Sequence, residues 1–307
     1  MVTTENHLAV ARHETFALRD GWLLKGLEVI RHNPVGLSEP GCHHSMGVGK
    51  NMASAIRYWV QATGLATGAG KRQAGRMPLR WTKLAEFIID RDPFLEDIAT
   101  LWLLHFELAS RKELATFWYW AFNEYDDIYF TEDDIIRGFI RYASTIGTEL
   151  VSEGSVRKDA RVFLHTYKEE PSSQNRLVQD SLDCPLAALG LVTTLGAPKP
   201  YGFAVGSKPN LPLEIVAYAM FHYRDRAKPD AEVISLDELR WAPYSPGRLF
   251  LLDARTLVEL SERIEQKTQG VWVRLSQTAG LRNVHLGSAD PFEALVEYYE
   301  RGRNAIT

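Results

Sequence analysis

Gly47-Val48-Gly49-Lys50-Asn51-Met52-Ala53-Ser54-Ala55-Ile56-Arg57-Tyr58-Trp59-Val60-Gln61-Ala62-Thr63-Gly64-Leu65-Ala66-Thr67 reads as a tight turn, a helix of the recognition type and the start of a wing. Gly47 and Gly49 supply the turn, and Val48 between them is an apolar plug. Met52, Ile56, Trp59 and Val60 recur at helical spacing and make one apolar face. Lys50, Asn51, Ser54, Arg57 and Tyr58 fall largely on the opposite face. In a helix-turn-helix that second face enters the major groove. Asn51 and Ser54 can hydrogen-bond bases or phosphates, and Lys50 and Arg57 can bind phosphate or guanine. Gly64 stands where a C′ glycine ends a helix. Lys71, Arg72 and Arg76 lie in the glycine-rich stretch that follows, which reads as a basic wing tip.

The charge around this stretch is one-sided. Residues 41–83 hold seven basic side chains and no Asp or Glu, although the chain carries a net charge of −4. Attraction to phosphate depends on local potential, so one basic face is compatible with an acidic chain. A solvated face or a protein contact is the alternative reading, and the absence of acid favours phosphate. Residues 91–150 reverse the sign, with twelve acidic against five basic side chains.

That reversal sets one expected boundary, and the Pro- and Gly-rich stretch 168–210 sets another. The expected domains are 1–90, a winged-helix DNA-binding module; 91–205, a helical middle domain with a second helix-turn-helix-like unit; and 206–307, a C-terminal winged-helix-like domain. The expected fold is mainly α with small β wings, built as tandem winged helix-turn-helix-like modules. Helices are expected over 94–109, 112–125, 132–146, 151–167 and 254–268, and strands over 249–252, 271–275 and 281–286. Thr131 with Asp134, Ser235 with Glu238 and Asp290 with Glu293 have capping-box spacing.

In the second unit Arg157, Lys158 and Arg161 could meet phosphate, with Glu153 and Asp159 diluting the charge. In the third, Glu259, Glu262 and Glu265 would repel phosphate, which points to a structural or partner-binding role. Met46-Gly47-Val48-Gly49-Lys50-Asn51 fails as a phosphate-binding P-loop, which needs glycine at His44 and Ser or Thr at Asn51. No nucleotide or organic cofactor is therefore expected. Cys42, His43 and His44 read as a loop rather than a metal site. Arg12-His13-Glu14-Thr15 is either a polar helix start or a candidate base. Glu124, Asp126, Asp127, Glu132, Asp133 and Asp134 could hold a Mg²⁺ ion or form a solvated helix start. Gly280 fits a wing turn and Arg282 an exposed anchor. Two cysteines, Cys42 and Cys184, suit a reducing compartment, and no signal core or membrane-length apolar run is present, so a cytoplasmic location is expected.

Several multi-residue blocks carry a resemblance. They are Arg12-His13-Glu14-Thr15-Phe16 with Gly21-Trp22-Leu23-Leu24-Lys25-Gly26, the helix stretch from Gly47 to Trp59, and the run from Asp92-Pro93-Phe94-Leu95 to His105. Leu182-Asp183-Cys184-Pro185-Leu186, Ser245-Pro246-Gly247-Arg248 and Thr278-Ala279-Gly280-Leu281-Arg282 complete the set. Together they resemble a bacterial family long without an assigned function, the SspB components of single-strand DNA phosphorothioation systems. The resemblance implies double-stranded DNA as ligand, nicking of one strand so that sulfur can be installed, and a role in phage defence. It also implies a divalent metal (Mg or Mn), and a cysteine desulfurase and an ATPase as companions. It carries no catalytic residue over to this chain, so the alternative is a non-catalytic DNA-recognition or scaffold subunit, or a transcription regulator, whose partners perform the chemistry.

Overall fold

A computed structural model describes residues 8–147, 151–168, 184–278 and 281–304. Residues 182–183, Gly280 and the 169–183 part of the loop-rich boundary lie outside the described residues. The chain is mainly α with small antiparallel sheets, and it divides into two compact units. The first comprises Met1–Ala121 and Tyr125–Phe203, the second Phe122–Glu124 and Ala204–Thr307.

In the first unit the order is α1 (Trp22–His32), α2 (Cys42–Ser45), α3 (Lys50–Ala62), β1 (Ala66–Gly68), β2 (Leu79–Trp81), α4 (Lys83–Arg91), α5 (Ile98–Ser110) and α6 (Thr116–Asn123). Then come β3 (Tyr129–Phe130), α7 (Glu132–Thr145), α8 (Glu153–Tyr167), β4 (Val192–Thr194) and β5 (Tyr201–Phe203). Strands β1 and β2 form a hairpin, and β3, β5 and β4 form a sheet in that order. The core is aromatic. Trp59 of α3 meets Trp118 of α6 edge-on at 5.6 Å, and Phe117 packs on Phe139 of α7 at 5.0 Å and on Phe163 of α8 at 5.6 Å. Helix α5 is buried on nearly every side, as a helix apolar all round must be.

Caps set the boundaries. Thr131 and Asp134 form the full capping box of α7. Helix α5 starts later than expected, at Ile98. Asp92 accepts from the Glu96 and Asp97 backbone N–H groups at 3.1 and 3.0 Å, which closes residues 92–97 into a turn. Asp97 then caps the helix through the Ala99 N–H at 2.7 Å.

In the second unit α9 (Leu213–Ala227) packs against α12 (Ala254–Thr268) and α13 (Pro291–Asn304). A three-stranded sheet runs in the order β6 (Val233–Ser235), β8 (Leu281–Leu286), β7 (Val273–Thr278). Between β6 and α12 lie α10 (Leu236–Trp241) and α11 (Pro246–Leu249). The strand expected over 249–252 is therefore corrected. Ser245 caps α11 by accepting from the Arg248 N–H, Pro246 sits in its first turn, and Leu251 takes a left-handed φ of 55°, which no strand allows. Gly247 is needed for packing: a Cβ there would lie 2.4 Å from the Arg240 Cα and 2.5 Å from its carbonyl oxygen.

Candidate nucleic-acid interface

Helix α3 is held by its apolar side. Ala53, Ile56, Trp59 and Val60 are buried, α1 packs against it, and the Trp59 indole donates to the Phe16 carbonyl at 3.1 Å. The turn before it is closed by Gly47 N–H to His44 O at 3.1 Å and Val48 N–H to His43 O at 3.0 Å. Gly47 has φ 64°, the left-handed region that favours glycine, while Gly49 is ordinary extended backbone serving as the N-cap. No side chain caps α3 and no acid stands in its first turn, so its free N–H groups and positive dipole end are not neutralised locally.

Lys50, Asn51 and Ser54 are exposed on one side of this helix, and Arg57 is half-buried beside them. Tyr58 is different, and its expected place on the DNA face is corrected. It is 9% exposed and lies edge-on to His13 at 5.9 Å and to Trp59 at 5.0 Å. Burial raises its phenol well above the usual range. It is a core residue because residues 9–16 cover that side of α3.

The hairpin continues beyond β1 and β2. Ala69 N–H donates to Pro78 O at 2.8 Å, and Gln73 and Arg76 exchange two backbone hydrogen bonds at 2.8 and 2.9 Å. Ala74 and Gly75 between them have φ 46° and 78°, the two positive angles of a type I′ turn. This tip carries Lys71, Arg72 and Arg76, and Arg80 is exposed on β2. Arg72 also donates to the Gly75 carbonyl at 3.1 Å. Among the described residues no carboxylate pairs with Lys50, Arg57, Lys71, Arg72, Arg76 or Arg80.

The second basic set is not equivalent. Arg157 of α8 reaches Glu153 at 2.8 Å, Asp133 at 3.2 Å and Glu132 at 3.5 Å, and Arg161 reaches Glu132 at 3.0 Å. These pairs tie α8 to α7, so Arg157 and Arg161 face carboxylates where the sequence alone left them open to phosphate. Lys158 is exposed. The second half of the acidic run, Glu132, Asp133 and Asp134, is taken up by these and similar pairs. Asp134 accepts from the Thr131 N–H at 2.9 Å, from Arg137 at 2.8 Å and from Lys199, and Lys199 above all holds its carboxyl far below the usual range. Among the described residues no group of three or more His, Cys, Asp or Glu side chains is placed to hold a metal ion.

His13 is neither a helix start nor an accessible base. It is fully buried, with Nε2 2.6 Å from Asp159 Oδ1, and its Nδ1 accepts from the Thr15 N–H at 3.2 Å. That contact places the ring proton on Nε2, donating to Asp159. Asp159 also accepts from the Ala11 N–H at 2.9 Å. Burial pushes its carboxyl up, and the bonds from His13 and Ala11 pull it down. Sequence reading missed this pair. The available signal was an aspartate at 159 lying between Val156 and Phe163 on the apolar face of α8.

In the second unit α12 exposes Glu259 and Glu262, and Arg282 is exposed on β8. A 660 Å³ cavity beside β7 and β8 is lined by Arg224, Arg274 and His285 but also by Asp225, Asp230 and Glu232. Ser276 and His285 are hydrogen-bonded across these strands at 2.8 Å. The mixed charge of the cavity gives no phosphate-directed field like that of α3 and its hairpin.

The fold and the site define a mainly α protein that presents an acid-free helix-and-hairpin face. The chain belongs to the family DUF4007, a protein family of unknown function, whose model matches residues 10–299. It is of the SspB type. A solved structure described as "Magnesium ion-bound SspB crystal structure" is 32% identical, with a TM-score of 0.86 over 96% of this chain and 88% of that one. A second, "SspB crystal structure", gives 32% identity and a TM-score of 0.85 over the same shares, 96% and 88%. No curated protein sequence matches.

Proposed function

We propose that this chain is the DNA-binding component of a phosphorothioation defence system, and that it docks on duplex DNA as a winged helix-turn-helix. The observation that carries this reading is the set Lys50, Lys71, Arg72, Arg76 and Arg80, which no carboxylate among the described residues neutralises. In this reading α3 enters the major groove with Asn51 and Ser54 toward base edges. The β1–β2 hairpin is the wing, with its basic tip along the phosphate backbone. Burying such a surface against DNA releases counterions, which gives affinity without sequence preference. Asn51 supplies what preference there is.

The family resemblance and the magnesium-bound relative support a catalytic extension, the nicking of one strand with Mg²⁺ or Mn²⁺ so that partners, a desulfurase and an ATPase, can install sulfur. A cytoplasmic setting accords with the two free cysteines. No described helix is long and apolar enough to cross a membrane. The test is supercoiled plasmid incubated with highly purified protein and each metal. Relaxed circles that vanish with chelator are the expected result. Plasmid that is bound but stays supercoiled under both metals removes the nicking and leaves a recognition subunit.

A further inference from the structure

Arg57 is an anomaly within the basic face. It projects from the middle of α3, where α2 and the 3-10 turn Gly36–Ser38 pack against that helix. Its Nη1 is shielded from solvent and has no hydrogen-bond partner among the described residues. No carboxylate there pairs with it either, and its electrostatic neighbour is the half-buried Cys42. Burial lowers its pKa from the usual arginine range, and the neighbouring Cys42 offsets only part of that effect. Every other arginine or lysine on this face reaches water directly or keeps a backbone partner.

A guanidinium nitrogen shielded from water and left without a partner costs stability, and a methionine would fill similar space without that cost. The five donors of arginine match an oxyanion in a fixed fork. We infer that Arg57, with Nη1 already shielded from water, is a socket for a single backbone phosphate, the contact that fixes the register of α3 on the duplex. This rests on the DNA-binding reading. The exposed lysines and arginines of the hairpin give general attraction, whereas Arg57 gives a directional bond that forms only when a phosphate seats beside α2. The free protein is therefore strained at this point and relaxed by its ligand.

The test is Arg57→Met in the full chain, with Arg57→Lys as the conservative variant. Thermal melting is read alone and with inorganic phosphate as the probe, and duplex binding is read by anisotropy. Arg57→Met is expected to raise the melting temperature of the free protein by about 2–4 °C. It is also expected to abolish the stabilisation by phosphate and to weaken duplex binding roughly tenfold or more, the scale of one charge-assisted hydrogen bond. Arg57→Lys should keep the salt slope and recover only part of the affinity, because an ammonium lacks the fork. A melting temperature that falls in Arg57→Met would mean the guanidinium is satisfied within the fold and would overturn the inference. Unchanged duplex affinity in Arg57→Met would overturn it too. If hairpin variants still lose DNA in that case, the DNA-binding reading stands and only the socket falls.

Discussion

Replacing Lys71, Arg72 and Arg76 together by glutamine is expected to weaken duplex binding by on the order of 100-fold at 0.15 M salt. Each lost phosphate contact lowers the log–log salt slope by roughly 0.9, so three contacts remove close to 3 units, and at this salt each unit is worth roughly six-fold. The loss is electrostatic and should shrink as salt rises. Glutamine keeps the side-chain stems, and the tip turn is made by Ala74 and Gly75 and the backbone bonds of Gln73 and Arg76, so the hairpin survives the change. Binding titrations between 50 mM and 300 mM salt, run beside thermal melts, read both quantities. The same exchange at Arg157 and Arg161 should leave the slope near wild type, because those groups already face Glu132, Asp133 and Glu153. A wild-type slope in the hairpin triple variant would remove the wing from the interface.

His13→Ala is expected to cost about 3–5 kcal/mol, the sum of leaving a buried carboxyl without its hydrogen-bond donor and of opening a cavity in the core. Asp159 would keep the Ala11 N–H but lose its bond from Nε2, within a site where it is almost fully enclosed. The imidazole also packs on Tyr58, Trp59 and Trp118, so its removal opens a cavity among the largest rings of the core. Asp159→Leu alone strands the imidazole proton and should cost nearly as much. The paired change His13→Leu with Asp159→Leu removes both polar groups at once, and its cost should fall well short of the sum of the single changes. Differential scanning calorimetry reads the effect as a drop of roughly 10 °C in the transition of the first unit for either single variant. Strict additivity in the double variant would show that the two side chains do not act as a couple.

Local chemistry made much of this fold legible. Helix α12 spans Ala254–Thr268 and strand β8 spans Leu281–Leu286, the bounds that periodicity gives. The box at Thr131 and Asp134 starts α7 where expected. The exposed part of the candidate interface, Lys50, Asn51, Ser54 and the hairpin tip, follows from helix period and glycine placement alone. The parts that could not be read depend on segments far apart in the chain. Tyr58 sits at the edge of the α3 polar face, and only residues 9–16 folding back decide that it is buried. Arg157 looks free in its own helix apart from Glu153, and its other partners come from α7. Apolar Leu249-Phe250-Leu251-Leu252 reads as a strand until the Ser245 cap and the left-handed Leu251 bend it away. His13 and Asp159 lie 146 positions apart, and neither marks the other in sequence.

The interface account is tested most directly by hydrogen–deuterium exchange of the full chain with and without a short duplex. Residues 47–57 and 69–78 should gain protection on binding, with α8 and α12 unchanged, and the effect should fade at high salt. Protection centred on α8 or on the second unit, with the α3 and hairpin peptides exchanging as in the free protein, would contradict it.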